Sequence, residues 1–420
     1  MNKKSLVLLM SIGICLSACN SKKQKNDESP VLSKTFYEID FSRDFTGSSC
    51  NNLLLSDMFE DVEYIQLETT NECLIDQRTF YALTNKDIYI LNKSYNKEKL
   101  FRFDRSSGNF ISTIGKTGQG PQEMQTPSAL YAENSFIYAS SNAVNKVFVY
   151  RKDGEYVRTV HMQRGTGERI TILKDKYIIS HPGQNYKEGE NNFKEGNPNQ
   201  YNAAVILDME GNILFTQRDT LKGEGLPYMT LDWDPKRWYF NNQLNYYNEV
   251  DNIIYEVNEK GIIPRYKFNL GKNRWTVTGK MTKETMAHIK FHCFKETSDY
   301  LFIYWNQNQK AYFARFDKHT EKLDVMEDES AKGRFWHLKA NGPQNDIDGC
   351  GIYFTTSENY EDKTGNFIFT ITPDNIDYVR ASLEKAKNVK FPEKRQQLLK
   401  MLGDREEDDN PILVIYKLKR

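Results

Sequence analysis

Five times along this chain a short strand pattern runs into a turn rich in Asp or Asn, usually with Gly, and out into a second strand pattern. The instances are residues 99–115 (KLFRFDRSSGNFISTIG), 146–160 (KVFVYRKDGEYVRTV), 203–217 (AAVILDMEGNILFTQ), 252–268 (NIIYEVNEKGIIPRYKF) and 311–326 (AYFARFDKHTEKLDVM). Glycine suits such turns because it accepts a positive φ without steric cost. With Gly108, Gly154, Gly211, Gly261 and Glu321 as markers, the spacings are 46, 57, 50 and 60 residues, about 53 on average. That is close to the length of a four-stranded propeller blade with its loops.

Two further strand patterns precede each hairpin: 80–84 and 87–91, 129–132 and 136–140, 169–173 and 177–181, and 289–294 and 300–306. The pair before the fourth hairpin falls within Trp238–Asn248. The last repeat offers strands at 351–356, 366–372 and 411–419, with a helical insertion between the second and third. Thr372-Pro373-Asp374 reads as the start of a helix, followed by Ile376, Val379, Leu383 and Ala386 at helical spacing, and a second helix is expected over 393–402. The missing fourth strand is available as VEYIQL at 62–67. Pairing strands from both ends of the chain in one blade closes a ring and removes the exposed sheet edges. The expectation is an all-β, six-bladed β-propeller over residues 36–420, closed by N- and C-terminal strands and carrying a short helical insertion in the last blade. Aromatics make up 13% of the chain, enough to fill such a core. The 57 basic residues balance the 57 acidic ones, so no basic footprint points to nucleic acid.

Several segments carry a resemblance. Ile114, Gly115, Lys116, Gly118, Gly120, Pro121 and Glu123 sit in IGKTGQGPQEM, and the repeat that follows resembles NHL-type propeller repeats. Asp61–Glu68 (DVEYIQLE), Asn345–Gly349 (NDIDG) and Asn410–Tyr416 (NPILVIY) appear in the same order as in the six-bladed β-propeller lipoproteins of Bacteroidetes. Met124 stands where that family usually has an aromatic, and Cys350 stands where a second Gly is usual. The resemblance implies an envelope protein associated with glycan uptake, with a glycan or a partner envelope protein as ligand.

The N-terminus supplies an address. Lys3 and Lys4 precede an apolar run from Leu6 to Leu16, too short to span a membrane, and Leu16-Ser17-Ala18-Cys19 resembles the bacterial lipobox. Residues 1–18 are expected to be a signal peptide, Cys19 the lipidated first mature residue, and residues 19–35 a polar tether. Asn20 after the cysteine resembles the pattern of outer-membrane sorting. Loss of Lys3 and Lys4 takes the net charge from zero to −2, and a near-neutral, monomeric domain suits an uncharged ligand. Cys50, Cys73, Cys293 and Cys350 remain; Cys50 and Cys73 are the pair closest in sequence, and the spacing makes neither a disulfide scaffold nor a zinc site.

Few motifs carry chemistry. The glycines of the 114–124 junction lack a P-loop lysine and lie between strands, so Gly115, Gly118, Gly120, Pro121 and Glu123 read as a tight crossing between blades. Asp346 and Asp348 alternate ahead of Gly349, but no Glu follows at the position a calcium loop needs. They read either as a capped turn or as carboxylates lining a central channel. His288 and His292 are four apart, as metal ligands on a helix would be, although the second falls where a strand is expected. Trp233, Trp238, Tyr239, Tyr246 and Tyr247 cluster as a candidate sugar-stacking surface, with packing between blades as the plainer account. Residues 183–201 form a long polar insertion, and 404–409 (DREEDD) an acidic connection. No catalytic set, metal site or cofactor follows from these residues. The functional reading is a ligand-binding or scaffolding propeller; the rival is an envelope lyase, lactonase or hydrolase using a metal or carboxylates in the channel.

Overall fold

The computed structural model describes residues 36–420 apart from 46, 48, 51, 77–78, 94–97, 134, 164–169, 182–201, 219–235, 250, 259–260, 275–287, 332–340, 355–359 and 407. Six sheets, each with an antiparallel set of three or four strands, form a six-bladed propeller. Blade 1 comprises Thr79–Leu83, Asp87–Asn92, Lys99–Asp104 and Phe110–Ile114, and blade 2 Ala129–Ala132, Phe136–Ser141, Lys146–Arg151 and Tyr156–His161. Blade 3 comprises Ile170–Leu173, Tyr177–Ser180, Asn202–Asp208 and Ile213–Arg218. Blade 4 is built from Arg237–Phe240, Gln243–Asn248, Ile253–Asn258 and Gly261–Asn269, and blade 5 from Lys290–Glu296, Tyr300–Gln307, Lys310–Asp317 and Leu323–Asp328. In blade 6 Ile412–Leu418 lies between Phe367–Ile371 and Phe59–Gln66, the N-terminal strand, in the register Val62↔Tyr416 and Tyr64↔Val414. The expected ring closure is therefore present.

Period-two alternation sends successive side chains of each strand to opposite neighbours. Leu100 packs with blade 2 through Leu130 and Phe148, whereas Phe101 packs with blade 6 through Ile368 and Ile415. The buried residues accordingly fall into six clusters, one between each pair of consecutive blades.

The five turn markers all have positive φ: Gly108 74°, Gly154 97°, Gly211 88°, Gly261 121° and Glu321 56°. At two of them a second constraint applies. A Cβ on Gly108 would lie 2.0 Å from the Gln66 carbonyl oxygen, and one on Gly211 2.2 Å from that of His161. Both carbonyls end the outer strand of the preceding blade, so the turn glycine is where one blade abuts the last.

Three features depart from expectation. First, residues 37–58 supply a strand and a helical turn that the repeat pattern did not foresee. Tyr37–Asp40 adds a parallel fifth strand to blade 4, Tyr37 opposite Tyr266. The chain then crosses blade 5, where Phe41 and Phe45 pack on Trp305, the Tyr312 hydroxyl donates to the Phe45 carbonyl at 2.7 Å, and Ser49 N–H donates to Val325 O at 2.7 Å. A single helical turn, α1 (Leu55–Met58), leads into blade 6. Second, Gly351–Phe354 is not a strand. Ile352 and Phe354 are wedged between blades 5 and 6, Phe354 stacking on Phe367 at 5.0 Å. Third, helix α2 (Ile376–Lys385) starts later than Thr372: the Asn375 side-chain oxygen accepts the Thr372 N–H at 2.9 Å and folds the Pro373 segment into a turn. Helix α3 (Pro392–Gly403) follows, with proline in its first turn.

Candidate functional site

Two polar clusters are built from the last repeat of the chain. The first is the Asn345–Gly349 loop. Asp348 has no exposed surface. Its Oδ2 accepts the Tyr64 hydroxyl at 2.5 Å; its Oδ1 accepts the Tyr416 hydroxyl at 2.9 Å, the Asn345 amide at 2.7 Å and the Cys350 N–H at 3.0 Å. Burial, followed by the Asp348 charge, pushes both phenols far above their ordinary range, so they stay protonated as donors. Asp346 accepts the Ser56 N–H at 2.9 Å and its hydroxyl at 2.7 Å. The loop thus joins α1, both terminal strands of blade 6 and the α2–α3 connection, whose Lys390 and Phe391 N–H groups donate to Asp346 O and Ile347 O. Asp348 anchors the loop to blade 6 and caps its own turn through the Cys350 N–H; of the two readings the sequence left open, this is the capped turn, with the carboxylate oxygens enclosed by donors from the protein itself.

The second cluster closes one mouth of the central channel. In blades 1 to 5 the first strand lines the axis, so only a group on the axis can touch several of them at once. The Tyr360–Asn366 turn does. Tyr360–Glu361 pairs in parallel with Tyr81–Ala82 of blade 1, and the Tyr360 and Tyr81 rings stack at 5.0 Å. The Lys363 ammonium donates to the Glu133 carboxylate after the first strand of blade 2 and to Ile172 O of blade 3 at 2.9 Å, and lies 5.5 Å from the Tyr239 ring of blade 4. Lys295 of blade 5 donates to Gly365 O at 3.0 Å and Asn366 O at 2.9 Å. A Cβ on Gly365 would lie 2.9 Å from Tyr239 O, so only glycine lets the turn come this close. Burial pushes the Lys363 ammonium down to about 7, and the adjoining Glu133 carboxylate opposes that shift. Sequence reasoning missed this plug, although Asp362-Lys363-Thr364-Gly365 is a legible turn signature: the Asp362 carboxylate accepts the Thr364 N–H at 2.9 Å.

The remaining expectations sort by burial. Trp233 lies outside the described residues. Trp238 and Tyr239 are buried between blades: Trp238 stacks on Phe294 at 5.0 Å and donates its indole N–H to Glu296 at 3.3 Å. They are packing residues and not an exposed sugar platform, because strand alternation points both into blade interfaces. Glu296, wholly buried, is held ionised against its burial by the Arg265 guanidinium and the Lys318 ammonium.

In the 114–124 junction Gly115 alone has positive φ, at 60°. Gly118 and Gly120 are glycines for another reason, since the Glu123 side chain occupies the space a Cβ would take, 2.1 Å from the first and 3.0 Å from the second. Glu123 accepts the Gly120 N–H at 2.8 Å, and Pro121 lies within that loop. His292 lies on the first strand of blade 5, bonded to Asn306 at 2.8 Å, and not on a helix with His288. Cys50, Cys73, Cys293 and Cys350 are free thiols. Among the described residues no three His, Cys, Asp or Glu side chains form a metal-binding group.

Residues 36–417 match the family described as Domain of unknown function (DUF4934). The chain belongs to that family. Among solved structures it is similar to a protein from Bacteroides fragilis NCTC 9343 described as exported, at 18% identity and a TM-score of 0.57, covering 92% of this chain and 100% of that one. This likeness shows a common fold. A member of the DUF4221 family from Bacteroides vulgatus ATCC 8482 is also similar, at 11% identity and a TM-score of 0.46, over 86% of this chain and 97% of that one. None of the curated proteins matches. No helix among the described residues is long and apolar enough to cross a membrane.

Proposed function

We propose that this DUF4934 chain is an envelope lipoprotein, lipidated at Cys19 and tethered through residues 19–35, whose propeller binds a glycan or a partner envelope protein at the outer membrane. The single observation behind the binding reading is the channel plug. Lys363 and its neighbours close one mouth, and their polar groups are engaged with the protein itself. Antiparallel strands place successive turns on opposite faces. The plugged face carries tight turns such as Thr84–Lys86 and Asn241–Asn242, while the crossings between blades and helices α2 and α3 arise from the strand ends of the other face. A ring closed on one side is a platform for a ligand on the other, in keeping with surface loops on a rigid scaffold. The lipobox-like Cys19 and the exported description of the Bacteroides fragilis neighbour support an envelope address.

The test is a glycan array probed with the full mature chain, alongside radiolabelled-lipid incorporation by the full precursor and its Cys19→Ser variant. Binding to a defined glycan class, with label lost in the variant, is the expected result. A uniformly negative array would overturn the glycan reading and leave a protein partner; unchanged label in the variant would overturn the anchor.

A further inference from the structure

The chain as a whole is neutral, yet between Arg380 and Lys400 it carries seven Lys or Arg against two Glu. Helices α2 and α3 form an antiparallel hairpin: Arg380 near the start of α2 donates to Leu402 O near the end of α3 at 3.3 Å, and Arg395 in α3 donates to Leu383 O at 2.6 Å. One end of the hairpin therefore gathers Lys385, Lys387, Lys390 and Lys394, while Asp374, Asp377 and Asp404 lie toward the other.

Part of this charge has a structural account. Arg395 caps the last carbonyls of α2, where the helix dipole favours a cation. Lys394 donates to Val62 O at 2.9 Å and lies 3.7 Å from Asp61, and Lys390 donates to the Ser56 hydroxyl at 2.6 Å. Lys385, Lys387 and Lys400 are different: all three are exposed, and none makes an ion pair with a described residue. Lys390, in the same connection as Lys387, keeps about half of its side chain exposed, at 54%.

The basic end is also rigid. Asn388, between Lys387 and Lys390, takes a left-handed φ of 58°, which Asn tolerates. The Lys390 and Phe391 N–H groups are pinned to Asp346 O at 2.8 Å and Ile347 O at 2.9 Å. Gly349 packs so closely on Ala386 that a Cβ there would lie 2.2 Å from the Ala386 Cβ. From this platform α3 carries Lys400 about 12 Å along its axis from Pro392, toward the end where Leu402 meets Arg380, so the exposed cations are spread along the length of the hairpin. Among the described residues no large exposed hydrophobic lies in the hairpin, whereas protein interfaces centre on apolar or aromatic anchors.

We infer that the α2–α3 hairpin is a docking surface for an anionic polysaccharide, one whose sugars carry carboxylate or sulfate groups at regular intervals. Charge complementarity with an extended polyanion matches exposed lysines spread along a rigid hairpin without an apolar anchor better than an acidic protein does. The inference rests on the glycan-binding reading above and names the ligand class; it revises the expectation that a near-neutral domain takes an uncharged ligand.

The experiment titrates the full mature chain with dextran, dextran sulfate, polygalacturonate, poly-glutamate and duplex DNA at 50 and 300 mM salt. The same set is repeated with the K385E/K387E/K400E variant. Expected is binding of dextran sulfate and polygalacturonate but not of dextran, weakened by salt through screening. The variant should bind at least tenfold more weakly with unchanged thermal unfolding, because these side chains hold no part of the fold. Equal binding by wild type and variant would overturn the site. Equally tight binding of poly-glutamate or DNA by the wild type would overturn the polysaccharide assignment. Array hits confined to neutral glycans would remove this inference and leave the glycan reading standing; no glycan bound at all would remove both.

Discussion

Tyr64 donates its hydroxyl at 2.5 Å to Asp348, a residue 284 positions further along the chain and wholly buried. With Tyr416 on the other carboxylate oxygen, this contact joins the first and last strands of blade 6 through a loop that belongs to neither. A buried carboxylate surrounded by neutral donors is stable only while all of them are present.

Asp348→Asn puts an amide N–H where at least one donor points, leaving buried groups unsatisfied. The expected loss is about 2–3 kcal/mol in urea unfolding, and about 1.5–3 kcal/mol for Tyr64→Phe, which takes away the donor to Oδ2. The double variant should lose less than the two single losses added, since both act on one network. Strict additivity would contradict the shared role.

The turn glycines separate two constraints that act together at some positions. Gly261→Ala meets only the positive φ, with no atom within 4 Å of the new Cβ, and should cost about 1–2 kcal/mol. Gly108→Ala and Gly211→Ala add a collision with a backbone carbonyl of the preceding blade. Each should cost clearly more, read as a lower thermal midpoint than that of the Gly261 variant.

Phe41, wholly buried on Trp305, Phe291 and Phe268, marks where the N-terminal segment covers the junction of blades 4 and 5. Phe41→Ala should lose about 3–5 kcal/mol by chemical denaturation. Amide exchange should show increased opening of Tyr37–Asp40 and of its partner Gly261–Asn269. A loss below 1 kcal/mol would mean that this segment is not part of the cooperative unit.

Acid should weaken the hairpin turns together. The Asp104 carboxyl is held down to about 2 by the Ser106 hydroxyl and by the Ser107 N–H and hydroxyl. Asp208 is lowered chiefly by Asn212; Asp317 is lowered by the N–H groups of Thr320 and His319, against its burial. Folded values below the unfolded value of about 3.9 mean that this stabilisation is complete above pH 4 and disappears as pH falls toward 2. The triple Asp→Asn variant at these positions should show a flatter dependence of urea midpoint on pH between 4 and 2 than the wild type. Parallel curves would show that these turns do not contribute to acid sensitivity.

The five hairpins were legible because a turn and two alternating strands are local: KVFVYRKDGEYVRTV fixes its own pairing within 15 residues. The terminal strand VEYIQL was legible because the last repeat was one strand short. The role of Asn345–Gly349 was not, since nothing within NDIDG states that its second Asp will meet Tyr64 and Tyr416. Nor was the burial of Trp238, because an aromatic reads alike in sequence whether it packs against a neighbouring blade or faces solvent.

Alternation and turn chemistry act over a few residues, which is why the repeat, the number of blades and the ring-closing strand could be read along the chain. The joining of Tyr37–Asp40 to blade 4, the Lys363 turn in one mouth of the channel and the enclosure of Asp348 by donors from both ends of the chain emerge only in the folded ring. Each of these depends on groups far apart in sequence meeting in one place, and that meeting is settled by how the blades pack around the axis.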